Sequence, residues 1–229
     1  MATLGDLLNA RDAGDPASEA DWVRLVHSIA VGDARAPHAL YERAHRIVFA
    51  LSLPLTRHRQ AAEELTRNVF HDVWRWAPAY DRTNASVLGW ILNLTRSRAT
   101  NPMRFEPWAT HDSRGGGPRE EPRFQPVQPW IEPDWIEVAP GILYEPLAFD
   151  AETGCISMLV RLAPGHHYPP HRHGGVEELH LLEGELWIDY RKLVPGDYQR
   201  AEAGSQDDRV WSRTGCTCFL MTSVEDELR

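Results

Sequence analysis

In the stretch Gly165-His-His-Tyr-Pro-Pro-His171-Arg-His173-Gly-Gly-Val-Glu177, two imidazoles and a carboxylate fall at spacings that suit a transition metal. His171 and His173 are two residues apart, so on a β-strand both rings project from one face. The short turn Gly174-Gly175-Val176 then lets Glu177 return to that face. Imidazole nitrogen is a borderline-soft donor, which favours zinc, iron(II), manganese, nickel or copper over calcium or magnesium, with zinc the foremost candidate. The neighbouring His166, His167 and His180 are read as bystanders; on a strand His180 has the parity opposite to Glu177 and points outward.

The elements around this stretch read as short strands. Ile142 to Phe149, Cys155 to Leu162, Glu178 to Leu182, Leu186 to Tyr190 and Cys216 to Ser223 alternate with Gly and Pro turn signals, a pattern of a sandwich or barrel. Glycines frame the candidate ligands: Gly165, five residues, His171-x-His173, three residues, Glu177, six residues, Gly184. That order resembles the first motif of the cupin family, and the resemblance implies a β-barrel, or jelly roll, with a metal on its wall. The family's second motif is present with two changes. Gly196 and Gly204 are kept, Glu202 stands at the proline and Asp207 at the third histidine. The resemblance therefore makes Asp207 the fourth ligand, since a carboxylate oxygen binds such metals at about 2 Å, or leaves a water in that place because its side chain is shorter.

Upstream, the apolar period changes from two to between three and four. Trp22, Leu25, Val26, Ile29 and Ala30 mark one helix, ended by Gly32-Asp33. Leu40, Ala44, Ile47, Val48, Leu51 and Leu55 mark a second, interrupted near its end by Pro54. A third runs from about Arg59 to Trp76, and a fourth follows Ser86, a plausible cap, until Asn101-Pro102. Residues 1–19 read as a flexible N-terminus. Residues 106–129, with Gly115-Gly-Gly-Pro118 and four further prolines, read as a linker with little that could pack. The expected fold class is α+β in two domains: an all-α bundle over 20–105 and an all-β cupin barrel over 130–229.

Charge divides along the same line. Residues 35–104 hold eleven arginines against five acids, an excess of +6 in a chain of net charge -9, so the remainder carries -15. A basic module beside an acidic one suits an anionic partner for the first and masking by the second, although uneven arginine use on solvated faces gives the same count. The N-terminal segment has no basic start or apolar core of a secretory signal, there is no run of eighteen apolar residues, and the three cysteines form an odd set. These features lead to the expectation of a cytoplasmic protein without a membrane span. Cys216 and Cys218 share a strand face, as buried apolar groups or as a redox-sensing pair.

The order of residues in the helices is more specific than their period. Ala30-Val-Gly-Asp33, Leu40-Tyr-Glu-Arg43, Ala61-Ala-Glu-Glu-Leu-Thr-Arg-Asn-Val-Phe70, Val73-Trp74, Tyr80-Asp81 and Gly89-Trp-Ile-Leu-Asn-Leu-Thr-Arg-Ser-Arg-Ala99 resemble conserved region 2 of extracytoplasmic-function sigma factors over about residues 20–105. The resemblance implies that the third helix docks on the β′ subunit of RNA polymerase through Glu63, Glu64, Arg67 and Phe70. It also implies promoter DNA contacts from Arg82, Trp90, Asn93, Arg96 and Arg98, where arginines neutralise phosphates and Trp90 stacks on a base or packs in the core. The chain departs from the family in Arg67 and Asn68 after Glu64, in the helix stop at Asn101-Pro102, and in having a cupin where region 4 would stand.

The cupin half is similar to the C-terminal domain of ChrR-type zinc-binding anti-sigma factors, through Glu177-Glu178, Leu182-Glu-Gly184, Gly196-Asp-Tyr198 and the Trp211-to-Cys216 ending, without the His-x3-Cys-x2-Cys of their anti-sigma module. The combined reading is a transcription regulator whose metal-binding cupin senses a small molecule or oxidant. Its partners would be polymerase and promoter DNA, or a cognate sigma or anti-sigma protein, with a homodimer through the cupin as a further expectation. A metal-dependent dioxygenase or isomerase carrying a helical interaction module is the alternative, since two histidines and a carboxylate can leave coordination positions open.

Overall fold

The computed structural model describes residues 2–9, 18–83, 85–100, 122–126 and 133–229. The chain opens with strand β1 (Ala2–Thr3) and helix α1 (Leu4–Asn9), followed by α2 (Glu19–Ala30), α3 (Ala36–Thr56), α4 (Arg59–Trp76), a 3-10 turn (Ala77–Ala79) and α5 (Val87–Thr100). The strands β2 (Ile136–Ala139), β3 (Ile142–Asp150), β4 (Cys155–Leu162), β5 (His167–Tyr168), β6 (His171–Arg172) and β7 (Glu177–Gly184) come next. The last seven are β8 (Leu186–Ile188), β9 (Arg191–Leu193), β10 (Tyr198–Ala201), β11 (Gln206–Asp207), β12 (Val210–Trp211), β13 (Cys216–Ser223) and β14 (Glu227–Leu228). Two compact units result: Trp22–Trp130, and Met1–Asp21 together with Ile131–Arg229. Among the described residues no helix is long and apolar enough to cross a membrane.

In the helical unit, the three- and four-residue steps seen in the sequence become buried faces. Leu40, Ala44, Ile47, Val48 and Leu51 of α3 are buried, as are Ala62, Leu65, Val69, Phe70 and Val73 of α4 and Leu88, Ile91 and Leu92 of α5. Helix α3 continues through Pro54 to Thr56 and ends at Arg57, whose left-handed backbone (φ 57°) lets its N–H donate to the Leu53 carbonyl at 2.8 Å. Ser86 caps α5 as expected: its Oγ accepts the Gly89 N–H at 3.1 Å.

The β unit is jelly-roll-like and, unlike the barrel expected, is not closed. A six-stranded sheet runs β10-β7-β13-β4-β3-β2, and two four-stranded sheets run β1-β14-β6-β11 and β5-β12-β8-β9, with antiparallel pairing between the strands throughout. Its core takes alternate residues: Ile156, Met158, Val160 and Leu162 from β4, Leu179 and Leu181 from β7, and Cys216, Cys218 and Leu220 from β13. The in-between residues Leu159, His180 and Phe219 are buried too, which explains why these three strands read as continuous apolar runs. His180 therefore does face away from Glu177, but into packing against Tyr198 and Phe219 and not into solvent.

Two expectations about unstructured segments need correction. Residues 2–9, read as a flexible N-terminus, pair β1 with β14 and bury Leu4 and Leu8 in the core of the β unit. The Thr3 and Asp6 side chains each accept the other's backbone N–H, at 3.1 and 2.9 Å, which starts α1 with a reciprocal cap. Residues 122–126, read as part of an unpacked linker, lie against α3 and α4 through Phe124. The Gly115-Gly-Gly-Pro118 hinge lies outside the described residues.

Candidate functional site

Four strand-borne side chains converge in the β unit. Strand β6 lies between β14 and β11, and the register places Asp207 directly across from His171. His173 follows β6 immediately and Glu177 opens β7 after the glycine turn. One ligand atom from each of His171, His173, Glu177 and Asp207 lies within 4.8 Å of all the others, and the four residues are buried. The centroids of the two imidazole rings stand 4.8 Å apart, with the rings at 80° to each other.

Hydrogen bonds behind the rings fix which nitrogen faces the cluster. His171 Nδ1 donates to the Pro169 carbonyl at 3.1 Å, and His173 Nδ1 donates to the Ser205 carbonyl at 3.1 Å with Ser205 Oγ at the same distance. A carbonyl oxygen only accepts, so the proton sits on Nδ1 and the Nε2 lone pair is left for the centre. His173 Nε2 is 3.6 Å from Glu177 Oε1 and 3.9 Å from Asp207 Oδ2, and among the described residues neither it nor Asp207 Oδ2 has a hydrogen-bond partner. Buried polar atoms without partners cost about 1–3 kcal/mol each unless something else satisfies them. Two imidazole nitrogens and two carboxylate oxygens fit a divalent transition metal, which would satisfy both atoms.

The electrostatics point the same way. Burial disfavours the His173 imidazolium, but Glu177, with Asp207 and Asp226 beyond, more than offsets this and holds its pKa up at about 9. Burial also pushes the Asp207 carboxyl up, against the pull of the two histidines. A concentration of negative charge that attracts a proton this strongly attracts a dication too, and binding would release the proton.

Asp226, which no sequence pattern singles out, braces the turn between His173 and Glu177. Its Oδ1 accepts the Gly174 N–H at 2.8 Å, its Oδ2 accepts the Thr222 hydroxyl at 2.6 Å, and its carbonyl accepts the Leu4 N–H at 2.8 Å. Nothing in Val224-Glu225-Asp226-Glu227 distinguishes the one buried acid from its neighbours; only the chain's return past Gly174 does. That return is close: a Cβ on Gly174 would lie 2.7 Å from the Glu225 backbone. Asp226→Ala is expected to weaken metal binding by up to about tenfold, because the Gly174 turn that sets His173 and Glu177 apart loses its brace, at the low end of what loss of an outer support to a metal site does. Competition with a chromophoric chelator measures it, and an unchanged affinity would show that the turn holds its shape without Asp226.

A cavity of about 40 Å³, room for a few water-sized groups, lies beside the cluster. His171, Glu177 and Asp207 form its polar end, and Val160, Leu162, Leu179, Leu186, Ile188 and Leu220 are among its apolar walls, with Tyr168, Cys216 and Cys218. Burial pushes the Cys216 thiol up to about 11 and Cys218 well above its ordinary range, so both are uncharged thiols near neutral pH and poor nucleophiles.

Residues 130–224 match the family model described as the ChrR cupin-like domain. The β unit carries a ChrR-like cupin domain. Against known proteins, the chain is 34% identical over 108 residues to the ECF RNA polymerase sigma factor SigK of Mycolicibacterium vanbaalenii, covering 47% of this chain and 55% of the relative. It is 29% identical over 93 residues to SigK of Mycobacterium tuberculosis, covering 41% and 50%. The chain thus spans about half the length of the curated relatives it matches. Among solved structures it is similar to an acetylacetone dioxygenase from Acinetobacter johnsonii (12% identity, 43% of this chain and 76% of that one, TM-score 0.38). A second is KdgF from Halomonas sp. (22% identity, 39% and 84%, TM-score 0.34).

Outside the cupin domain, the residues that the sigma resemblance assigned to partners have different surroundings. On α4, Glu64 is exposed, Arg67 is half-buried, and Glu63 pairs with Arg59 at 3.0 Å. Phe70 is fully buried, in edge contact with Tyr41. Arg82 is exposed in the turn before α5, while Trp90, half-buried, packs on Tyr80 at 5.0 Å; Asn93 and Arg96 are half-buried on α5. Arg98 points to α4, where it pairs with the buried carboxylate of Asp72. Trp90 and Asn93 share a helical face and Arg98 does not, so the structure brings together only part of the set.

Proposed function

We propose that this protein is a transcription regulator in which a sigma region 2-like helical domain binds RNA polymerase, and promoter DNA with it, under the control of a metal-binding ChrR-like cupin domain. The observation that carries the reading is the pairing, in one chain, of sigma-factor-like sequence with a cupin domain whose four buried donors converge. His171, His173, Glu177 and Asp207 would hold the ion, zinc foremost, and its loss or capture would change the fields and packing around β6, β7 and β11. Glu63, Glu64, Arg67 and, once uncovered, Phe70 would meet the polymerase β′ subunit, and Arg82, Trp90, Asn93 and Arg96 would meet DNA. Arg98 contributes by holding Asp72. The cytoplasm is the compartment this function requires.

Binding of the full chain to core RNA polymerase tests the reading. A charge-reversed variant, Glu64→Arg with Arg67→Glu, is expected to bind at least about tenfold more weakly, the scale of losing close charge pairs across an interface. Equal binding by the two forms would remove α4 from the contact. Affinity for promoter DNA should fall as salt rises, because phosphate neutralisation releases counterions.

The apolar cavity beside the cluster supports one other reading, a metal-dependent dioxygenase or isomerase acting on a small, largely apolar molecule. It predicts turnover that vanishes on metal removal while polymerase binding stays the same.

A further inference from the structure

The segment Pro122–Pro126 is flanked by prolines and was expected to be free, yet it is seated on the helical unit by one anchor. Phe124 stacks on Tyr41 (centroids 4.9 Å apart, 19°) and lies 5.7 Å from Phe70. His71 at 5.2 Å and His38 at 5.8 Å meet it edge to face. The Tyr41 hydroxyl donates to the Gln125 carbonyl at 2.7 Å, so backbone as well as side chain is recognised. His38, Tyr41 and His45 recur at three and four residues on α3, and Phe70 and His71 face them from α4; together they make an aromatic groove. Its occupant contributes little else: Arg123, Gln125 and Pro126 are exposed.

From this geometry we infer that the α3–α4 groove is a docking surface for an extended, phenylalanine-anchored peptide, and that the chain's own Pro122–Pro126 strap fills it and competes there with RNA polymerase. The competition rests on the proposed function. On α4, Glu63, Arg67 and Phe70 recur at i, i+4 and i+7, so the stripe assigned to polymerase is the one the strap covers at its Phe70 end. Phe70 can reach a partner only when Phe124 leaves. A single aromatic anchor held at the high effective concentration of its own chain is strong enough to be seated and weak enough to be displaced.

The test uses the full chain, wild type against Phe124→Ala, with Tyr41→Phe as a milder variant that keeps the ring and loses the bond to Gln125. Ring-proton NMR of His38 and His71 reads strap occupancy without any partner. The wild type is expected to show ring-current shifts that are lost in Phe124→Ala, reduced in Tyr41→Phe, and restored to Phe124→Ala by a synthetic peptide spanning residues 119–129. Spectra that do not change on Phe124→Ala, or a peptide without effect, overturn the groove. Affinity for core polymerase is then expected to rise on the order of tenfold in Phe124→Ala, the gain when a surface open about a tenth of the time becomes fully open. Changed spectra with unchanged affinity overturn the competition. If neither form binds polymerase, the proposed function fails, and with it the competition, while the groove stands on the NMR result.

Discussion

Protein purified without added metal is expected to carry close to one equivalent of a divalent transition metal, and a His171→Ala, His173→Ala variant is expected to carry almost none. The four donors are buried and mutually within 4.8 Å, and each imidazole is oriented from behind by a carbonyl. Removing both nitrogen donors leaves two carboxylates in a buried pocket, which suits a borderline metal poorly. Affinity should fall by roughly a thousandfold or more, beyond the 10–100-fold that follows loss of an outer partner. His166→Ala with His167→Ala is the control, because the two residues are outside the cluster, and metal content should not change in it. Equal metal in the wild type and the His171, His173 variant would show that the ion sits elsewhere.

The second large effect concerns Arg98, which the sequence placed among DNA contacts and the structure pairs with Asp72. Burial pushes the Asp72 carboxyl up, and Arg98 pulls against that shift. Arg98→Ala would leave a buried carboxylate without its partner, a change that costs about 3–5 kcal/mol near pH 7. The sign of the pH dependence follows. A carboxyl whose folded pKa is raised favours folding at low pH, where it is protonated, and that contribution is lost as pH rises through the folded value. The deficit of the variant should therefore shrink toward pH 4 and grow toward pH 7, and adding Asp72→Asn should recover much of it. Thermal unfolding followed by helical circular dichroism reads this; a loss under about 0.5 kcal/mol at every pH would mean that the pair behaves as an exposed one.

Local periodicity made the long elements legible. Strands β4 and β13 and helix α4 have the ends their apolar patterns imply, and the Ser86 cap is where its side chain type suggested. The candidate ligand cluster was legible because two glycine-framed segments have fixed spacing, and the fold brings these four side chains within reach of one another. What escaped was set by contacts distant in sequence. Strand β1 exists because β14 returns beside it, Asp226 matters because it passes Gly174, and Phe124 is ordered because α3 and α4 present Tyr41 and Phe70. None of the three leaves a periodic trace, since each involves two to five residues whose partner is far along the chain. Arg98 shows the same limit: its charge is visible in the sequence, but Asp72, twenty-six residues earlier, is not visible as its partner.

Regulation of this kind requires the cupin domain's metal state to reach the helical domain. The most direct measurement is the affinity of one preparation of the 229-residue chain for core RNA polymerase, with metal bound and after chelation, followed by metal restoration. A reversible change of at least several-fold between the two states is expected, absent in the His171→Ala, His173→Ala variant. Polymerase affinity that is the same with and without metal would contradict it.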